Sequence, residues 1–182
     1  MSTASGVEYR EAARDDLPGI LEVQQDGFGR VARELGLEPA DLSPLREHLQ
    51  DLQRLLSEGT RFFVAIDGDR VVGTVRGSLT PGDTVEIGRM AVSADHVRQG
   101  IGRGLMLTLE RSYPAARRLE LYTGREARAP LALYASLGYT EMPSKPDMPY
   151  LIWLEKLPGG SSPEAGAAAP TAPTDAPLHS QP

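Results

Sequence analysis

Apolar positions recur with a period of two in some stretches of this chain and near 3.6 in others, and the switches outline its elements. Val7 to Ala12 alternates and predicts a strand. Asp15 offers an N-cap to a helix with Pro18 in its first turn and Ile20, Leu21 and Val23 on its apolar side. Ser43 and Pro44 open a second helix, in which Leu45, Leu49, Leu52 and Leu56 share a stripe until Gly59 ends it. Arg61 to Ile66 and Arg70 to Leu79 are rich in Val and Phe and predict a hairpin about Asp67-Gly68-Asp69. The turn Thr80-Pro81-Gly82-Asp83 leads into a longer strand, Thr84 to Val92. A polar loop then opens a helix carrying Ile101, Leu105 and Leu109, which ends near Pro114. Arg118 to Tyr122 predicts a strand, a short helix ends with Leu133 to Leu137 before Gly138, and Tyr139 to Met142 and Tyr150 to Leu157 close the series as strands. The order β-α-α-β-β-β-α-β-α-β-β predicts an α/β fold, one mixed sheet with helices on both faces.

The chain of 182 residues suits one domain, assigned to residues 7–157. Residues 1–6 are expected to lack fixed structure. Residues 158–182 are almost entirely Pro, Gly, Ala, Ser and Thr, a composition that buries too little apolar surface to order itself, so a disordered tail is expected there. Cysteine is absent, which excludes disulfides, thiolate metal sites and a cysteine nucleophile. His48, His96 and His179 are scattered, so no metal site is expected. A net charge of -6 argues against nucleic acid as a partner, because a phosphate-binding surface is normally basic. No apolar run is long enough to span a bilayer, and the first residues lack the pattern of a signal peptide, so a cytoplasmic protein without membrane attachment is the expectation.

Two local features carry candidate chemistry. Within Thr84–Val92, Val85 and Ile87 share a face, yet Met90 and Val92 have the opposite parity. One extra residue near Gly88-Arg89 would keep both pairs on the core face, which predicts a β-bulge; a small residue in a twisted strand is the competing reading. Glu86 then points to the opposite face, where a mid-strand acid is more often simply solvated. The second feature is Val97-Arg98-Gln99-Gly100-Ile101-Gly102-Arg103-Gly104-Leu105. Glycines entering a helix let a ligand approach the free N–H groups of the first turn, which form an anion site. A P-loop needs Lys followed by Ser or Thr, which is missing. A dinucleotide fingerprint fits Gly100 and Gly102, with Glu120 at a suitable distance downstream. It fails at Leu105, and at the strand that ends too early at Val92.

Arg89-Met90-Ala91-Val92 followed by Arg98 to Leu105 resembles the central motif of the GNAT N-acetyltransferases, a strand ending in hydrophobic-x-Val and then (Gln/Arg)-x-x-Gly-x-(Gly/Ala). Leu133-Tyr134-Ala135-Ser136-Leu137-Gly138-Tyr139 is similar to a second family segment, Leu-Tyr-x-x-x-Gly-(Phe/Tyr). Val97 and Ala127 depart from the pattern, where the family has Gln or Arg and often Asn. The resemblance implies a single GNAT-type domain with a mostly antiparallel sheet, and acetyl transfer from acetyl-coenzyme A to an amine in a ternary complex, without a metal. It implies that Glu86 is the general base and Tyr134 the acid that protonates the leaving thiolate. Backbone groups of Met90, Ala91 and Val92 would hold the pantetheine arm, and Arg98, Gln99, Gly100, Ile101, Gly102, Arg103 and Gly104 the pyrophosphate. The acceptor, a small molecule or a peptide or protein amine, would lie against the first two helices and the 143–150 loop. There Asp41, Glu47 and Asp51 suggest negative charge, and Tyr150 is a candidate lining residue with Trp153, for which core packing is the stronger expectation. Dimerisation through an edge strand is common among relatives. A non-catalytic acetyl-CoA-binding module of the same fold is the alternative.

Overall fold

A computed structural model describes residues 6–143 and 146–158 of the chain. The expected terminal tail therefore lies, from residue 159 on, outside the described residues, as do residues 1–5 and two positions of the 143–150 loop. The elements are β1 (Glu8–Glu11), α1 (Leu17–Leu35), α2 (Leu49–Ser57), β2 (Arg61–Asp67), β3 (Arg70–Thr80), β4 (Thr84–Val92), α3 (Ile101–Arg111), β5 (Arg118–Gly124), α4 (Arg128–Ser136), β6 (Thr140–Glu141) and β7 (Leu151–Lys156). This is the order the periodicity predicts. The seven strands form one sheet in the order β1-β2-β3-β4-β5-β7-β6. Every pairing is antiparallel except β4 with β5, which the α3 crossover makes parallel.

Alternation along β2 shows how the sheet is covered on both sides. Phe63 and Ala65 join the cluster under α3 and α4 with Val85, Leu105, Leu109, Leu119 and Leu121. Phe62, Val64 and Ile66 pack with Leu17 and Ile20 of α1 and Leu52 of α2. Both faces of β2 are thus apolar, as a central strand between two helical layers requires. Among the described residues, no helix is long and apolar enough to cross a membrane.

Two helix starts differ from the periodicity. Asp16, not Asp15, is the residue before α1; its carboxylate accepts the Ala13 N–H at 2.7 Å and pairs with Arg10 at 2.7 Å. The second helix does not begin at Ser43. Ser43–Arg46 is a short 3-10 turn, Glu47 is extended, and α2 starts only after His48. The first piece buries Pro44 and the second Leu52, and the backbone turns between them so that the Glu47 side chain is largely buried.

The loop before α3 is pinned by His96, whose ring lies 2.9 Å from Asp95 and 3.1 Å from Asp67 at the end of β2. The Asp95 and Asp67 carboxylates hold the imidazole above its ordinary value of 6.5. A group whose pKa is raised on folding stabilises fully below its unfolded value and loses that contribution as pH rises through the folded value. Thermal stability should therefore fall as pH rises from the ordinary histidine value of 6.5 through the raised value of the folded state. His96→Gln should flatten this segment of a melting-temperature profile; an unchanged slope would show that His96 is not its source.

Candidate active site

The parallel pairing of β4 with β5 extends only from Thr84–Arg118 to Glu86–Glu120. Beyond Glu86 the two strands part, leaving the edge of β4 from Ile87 onward unpaired on that side. A register shift in β4 lies just there: Arg76 faces Gly88 and Thr74 faces Ala91, so three steps on β4 match two on β3. This is the bulge that the phase slip predicts. Val85 and Ile87 are buried in the cluster under α3, and Met90 and Val92 pack against the same cluster. The residue that takes the left-handed conformation is Arg89, at φ 55°, and not Gly88.

On the α1–α2 face the parting strands border a cleft of about 340 Å³, lined among others by Arg76, Ser78, Glu86, Arg89, Tyr122 and Trp153. Glu86 is exposed on the face opposite Val85 and Ile87, as expected. It stands in register with Ser78 on one side and Glu120 on the other. Glu120 accepts a hydrogen bond from Arg118 at 3.1 Å, whereas Glu86 has no ion pair or hydrogen bond among the described residues. Glu120, weighed above as a ribose contact, thus sits in this cleft, away from the glycine turn. Tyr122 and Trp153 are paired across β5 and β7 with ring centroids 4.8 Å apart. Trp153, expected in the core, is a wall of the cleft; Tyr150 is exposed and takes no part in its lining.

On the opposite face, α3 begins after Gly100, whose φ of 82° is the left-handed turn that admits the chain to the helix. The first bond of the turn is Gly104 N–H to the Gly100 carbonyl at 3.0 Å. The N–H groups of residues 98–103 make no hydrogen bond among the described residues, so six donors are presented together. The Arg98 side chain has no partner there either, while Gln99 donates to the Asp95 carbonyl and Arg103 to Ser136 Oγ. A Cβ on Gly102 would stand 3.2 Å from Leu133 and 3.5 Å from the Met90 sulfur, so the glycine turn, the bulge and α4 converge at this point. Tyr134, next to Leu133, is buried, with its ring edge-on to Tyr139 at 5.9 Å. Burial pushes its hydroxyl well above the ordinary value, so the O–H keeps its proton at neutral pH. Ala127 ends the turn into α4 without a side-chain cap. Glu86 and Tyr134 therefore lie on the two faces of the sheet, one on each side of the opening between β4 and β5.

Sequence reasoning misses what holds the bulge. Glu47 accepts Arg76 Nη1 and Nη2 at 3.0 and 2.9 Å, Arg89 Nε at 3.0 Å and the amide of fully buried Gln24 at 2.8 Å. Arg89 Nη2 also donates to Ser43 Oγ at 3.1 Å. Burial pushes the Glu47 carboxyl up, but the bonds from Arg76 and Gln24 and the charges of both arginines outweigh it and hold the group below the usual carboxylate range. The expectation of free negative charge from Glu47 is thus corrected. Asp51 is likewise engaged, by the His48 N–H and Arg54, and the side chain of Asp41 is outside the described residues. The sequence carries no local signal for this network: Glu47 lies between Arg46 and His48, off the leucine stripe, where an exposed acid is the ordinary reading.

An open sheet with one parallel pair that parts beside a bulge, and a free-donor turn at the head of the crossover helix, define the architecture of this α/β protein. This chain matches the family model of the acetyltransferase (GNAT) domain over residues 58–141, from just before β2 to the end of β6. Its fold is shared with the PaiA N-acetyltransferase of Thermoplasma acidophilum, solved in complex with coenzyme A, at TM-score 0.73 and 19% identity over 84% of this chain and 99% of that one. It is also shared with the ribosomal-protein-S18-alanine N-acetyltransferase of Escherichia coli, at TM-score 0.67 and 19% identity over 90% and 100% of the two chains. The ribosomal-protein-alanine N-acetyltransferase of Brucella melitensis aligns at TM-score 0.65 and 22% identity over 82% and 99%. At these identities the likenesses speak for the fold alone. No curated protein sequence matches the chain.

Proposed function

We propose that the protein transfers an acetyl group from acetyl-coenzyme A to an amine held in the cleft. The observation that carries this reading is the opening between β4 and β5, with an unpartnered carboxylate at one mouth and a buried, protonated tyrosine at the other. Acetyl-coenzyme A would supply the activated thioester. The N–H groups of residues 98–103 suit its pyrophosphate, as donors at a helix start suit any phosphate. The unpaired edge of Met90, Ala91 and Val92 suits the pantetheine arm, whose amides bond like a strand. Gly104 serves the turn by accommodating the Tyr9 ring, which occupies the place a Cβ would take.

The residues of this chain then divide the proton transfers. Glu86 accepts a proton from the acceptor ammonium, directly or through a water, so that the nitrogen lone pair can attack. Backbone N–H groups at the bulge near Met90 donate to the thioester oxygen as negative charge develops on it. Tyr134 Oη gives its proton to the leaving sulfur. Attack is direct, with donor and acceptor bound together, as the resemblance to the GNAT N-acetyltransferases implies.

Glu86→Gln tests the base role. It should lower kcat/KM by on the order of 10²-fold in a thiol-release assay, the contribution typical of a general base. The loss should be largest at low pH, where more of the amine is protonated, and acetyl-CoA affinity should be unchanged. Equal rates for the variant and the native protein across the pH range would remove Glu86 from the mechanism.

A further inference from the structure

The network about Glu47 has a charge that its own members leave unmatched. One carboxylate faces two guanidiniums, and all three side chains are largely buried, at 14% exposure for Glu47, 16% for Arg76 and 17% for Arg89. The other acids of the cleft do not supply the missing charge: Glu120 pairs with Arg118, and Glu86 forms no ion pair with either arginine. A largely buried cation without a matching anion is costly, and such a residue is retained where a ligand completes it.

The geometry points to Arg89 as the unmatched member. Arg76 spends Nη1 and Nη2 together on Glu47. Arg89 is fixed through Nε and Nη2 to Glu47 Oε1, at 3.0 and 2.9 Å, and through Nη2 to Ser43, and its Nη1 makes no hydrogen bond among the described residues. The guanidinium is therefore oriented by two of its nitrogens while the third remains available in the wall of the cleft that also holds Glu86. Its backbone is held at φ 55°, a left-handed conformation that glycine or asparagine would adopt more readily than arginine. An arginine kept there is kept for its side chain.

We infer that Arg89 binds an anionic group of the acceptor, so that the substrate is an amine that also carries a carboxylate. This rests on the acetyltransferase reading and narrows it. The amine would lie toward Glu86 and the opening of the sheet, and the carboxylate would take the free Nη1 edge, with Arg76 behind it adding charge. A planar guanidinium fixed in this way suits a carboxylate better than the mobile ammonium of a lysine would.

The test uses the native protein and acetyl-CoA with amines in matched pairs: free amino acids against their amides, and short peptides with Asp against Asn beside a free N-terminus. The first set reads an α-carboxylate and the second a side-chain carboxylate, and either suffices. The carboxylate member of at least one set should have a kcat/KM greater by about tenfold or more, mostly through KM, as one charge-assisted hydrogen bond allows. Arg89→Gln should bring that ratio toward one. Glu47→Gln, which leaves two guanidinium charges unmatched in place of one, should raise it. A purely structural role for the network would move both variants in the same direction, and that outcome would overturn the inference, as would a native ratio of one in both sets. Calorimetric binding of the same pairs gives a readout that does not need turnover, and each variant is checked for its acetyl-CoA-induced stabilisation. If the native protein shows no such stabilisation, the acetyltransferase reading falls and this inference falls with it; stabilisation with no carboxylate preference overturns the inference alone.

Discussion

Tyr134→Phe is expected to lower kcat by on the order of 10²-fold or more, the usual contribution of a positioned acid, while acetyl-CoA affinity stays within about twofold. The substitution is unusually clean at this position. The ring is buried and packs edge-on against Tyr139, so Phe preserves the contact and removes only the O–H. Tyrosine keeps its proton at neutral pH, and burial holds the Tyr134 O–H protonated more firmly still, so donation to a leaving thiolate depends on its placement beside the sulfur rather than on an acidic hydroxyl. Single-turnover measurement of thiol release separates this loss from binding. Full turnover in the variant would show that the sulfur obtains its proton elsewhere and would end the acid assignment.

The second large effect is on stability. Glu47→Ala removes the acceptor of bonds from Arg76, Arg89 and Gln24 and leaves two largely buried guanidiniums facing each other. Breaking a buried pair in this way costs about 3–5 kcal/mol, mostly through the charge left behind. Urea unfolding should show that loss with little change in the m-value, since the surface exposed on unfolding is the same. The bulge should loosen with it, because Arg89 would lose the bond that fixes its guanidinium. A loss below about 1 kcal/mol would mean that water already screens the group, as it does for exposed pairs.

The same residue shows where the sequence stops being informative. Leu45, Leu49, Leu52 and Leu56 keep helical spacing through Glu47, so periodicity alone runs one helix over a break. At the break Glu47 meets Arg76 and Arg89, which are distant in the chain, and no local window contains them. Asp15 and Asp16 are equally good caps on paper; Asp16 precedes α1, but its carboxylate is taken by Arg10 and the Ala13 N–H and caps no N–H of the helix. In β4 the sequence is far more legible. The change of parity between Ile87 and Met90 foretells the bulge, because buried residues must face the core and the side-chain period is fixed at two. It does not foretell that Arg89 adopts the positive φ, since glycine is the cheaper choice and only the side-chain tether explains the exception. The glycine turn is visible for the same local reason: it needs no distant partner to leave its N–H groups free. The opening between β4 and β5, and the Tyr122–Trp153 wall beside it, depend on pairing between strands far apart in the chain. The alternation of Leu119 and Leu121 does place Glu120 and Tyr122 on the other face, a signal that could have marked them as cleft residues.

The central claim is that the turn at residues 98–103 and the parted strands hold acetyl-coenzyme A. Its most direct test is the melting temperature of the full chain with and without saturating acetyl-CoA, with NAD and ATP as controls. A ligand present at about one hundred times its dissociation constant adds roughly 2.7 kcal/mol to the native state. In a domain of this size that corresponds to a rise on the order of 5–10 °C. The account predicts that rise with acetyl-CoA and none comparable with NAD or ATP; no shift at millimolar acetyl-CoA, or a larger one with NAD, would contradict it.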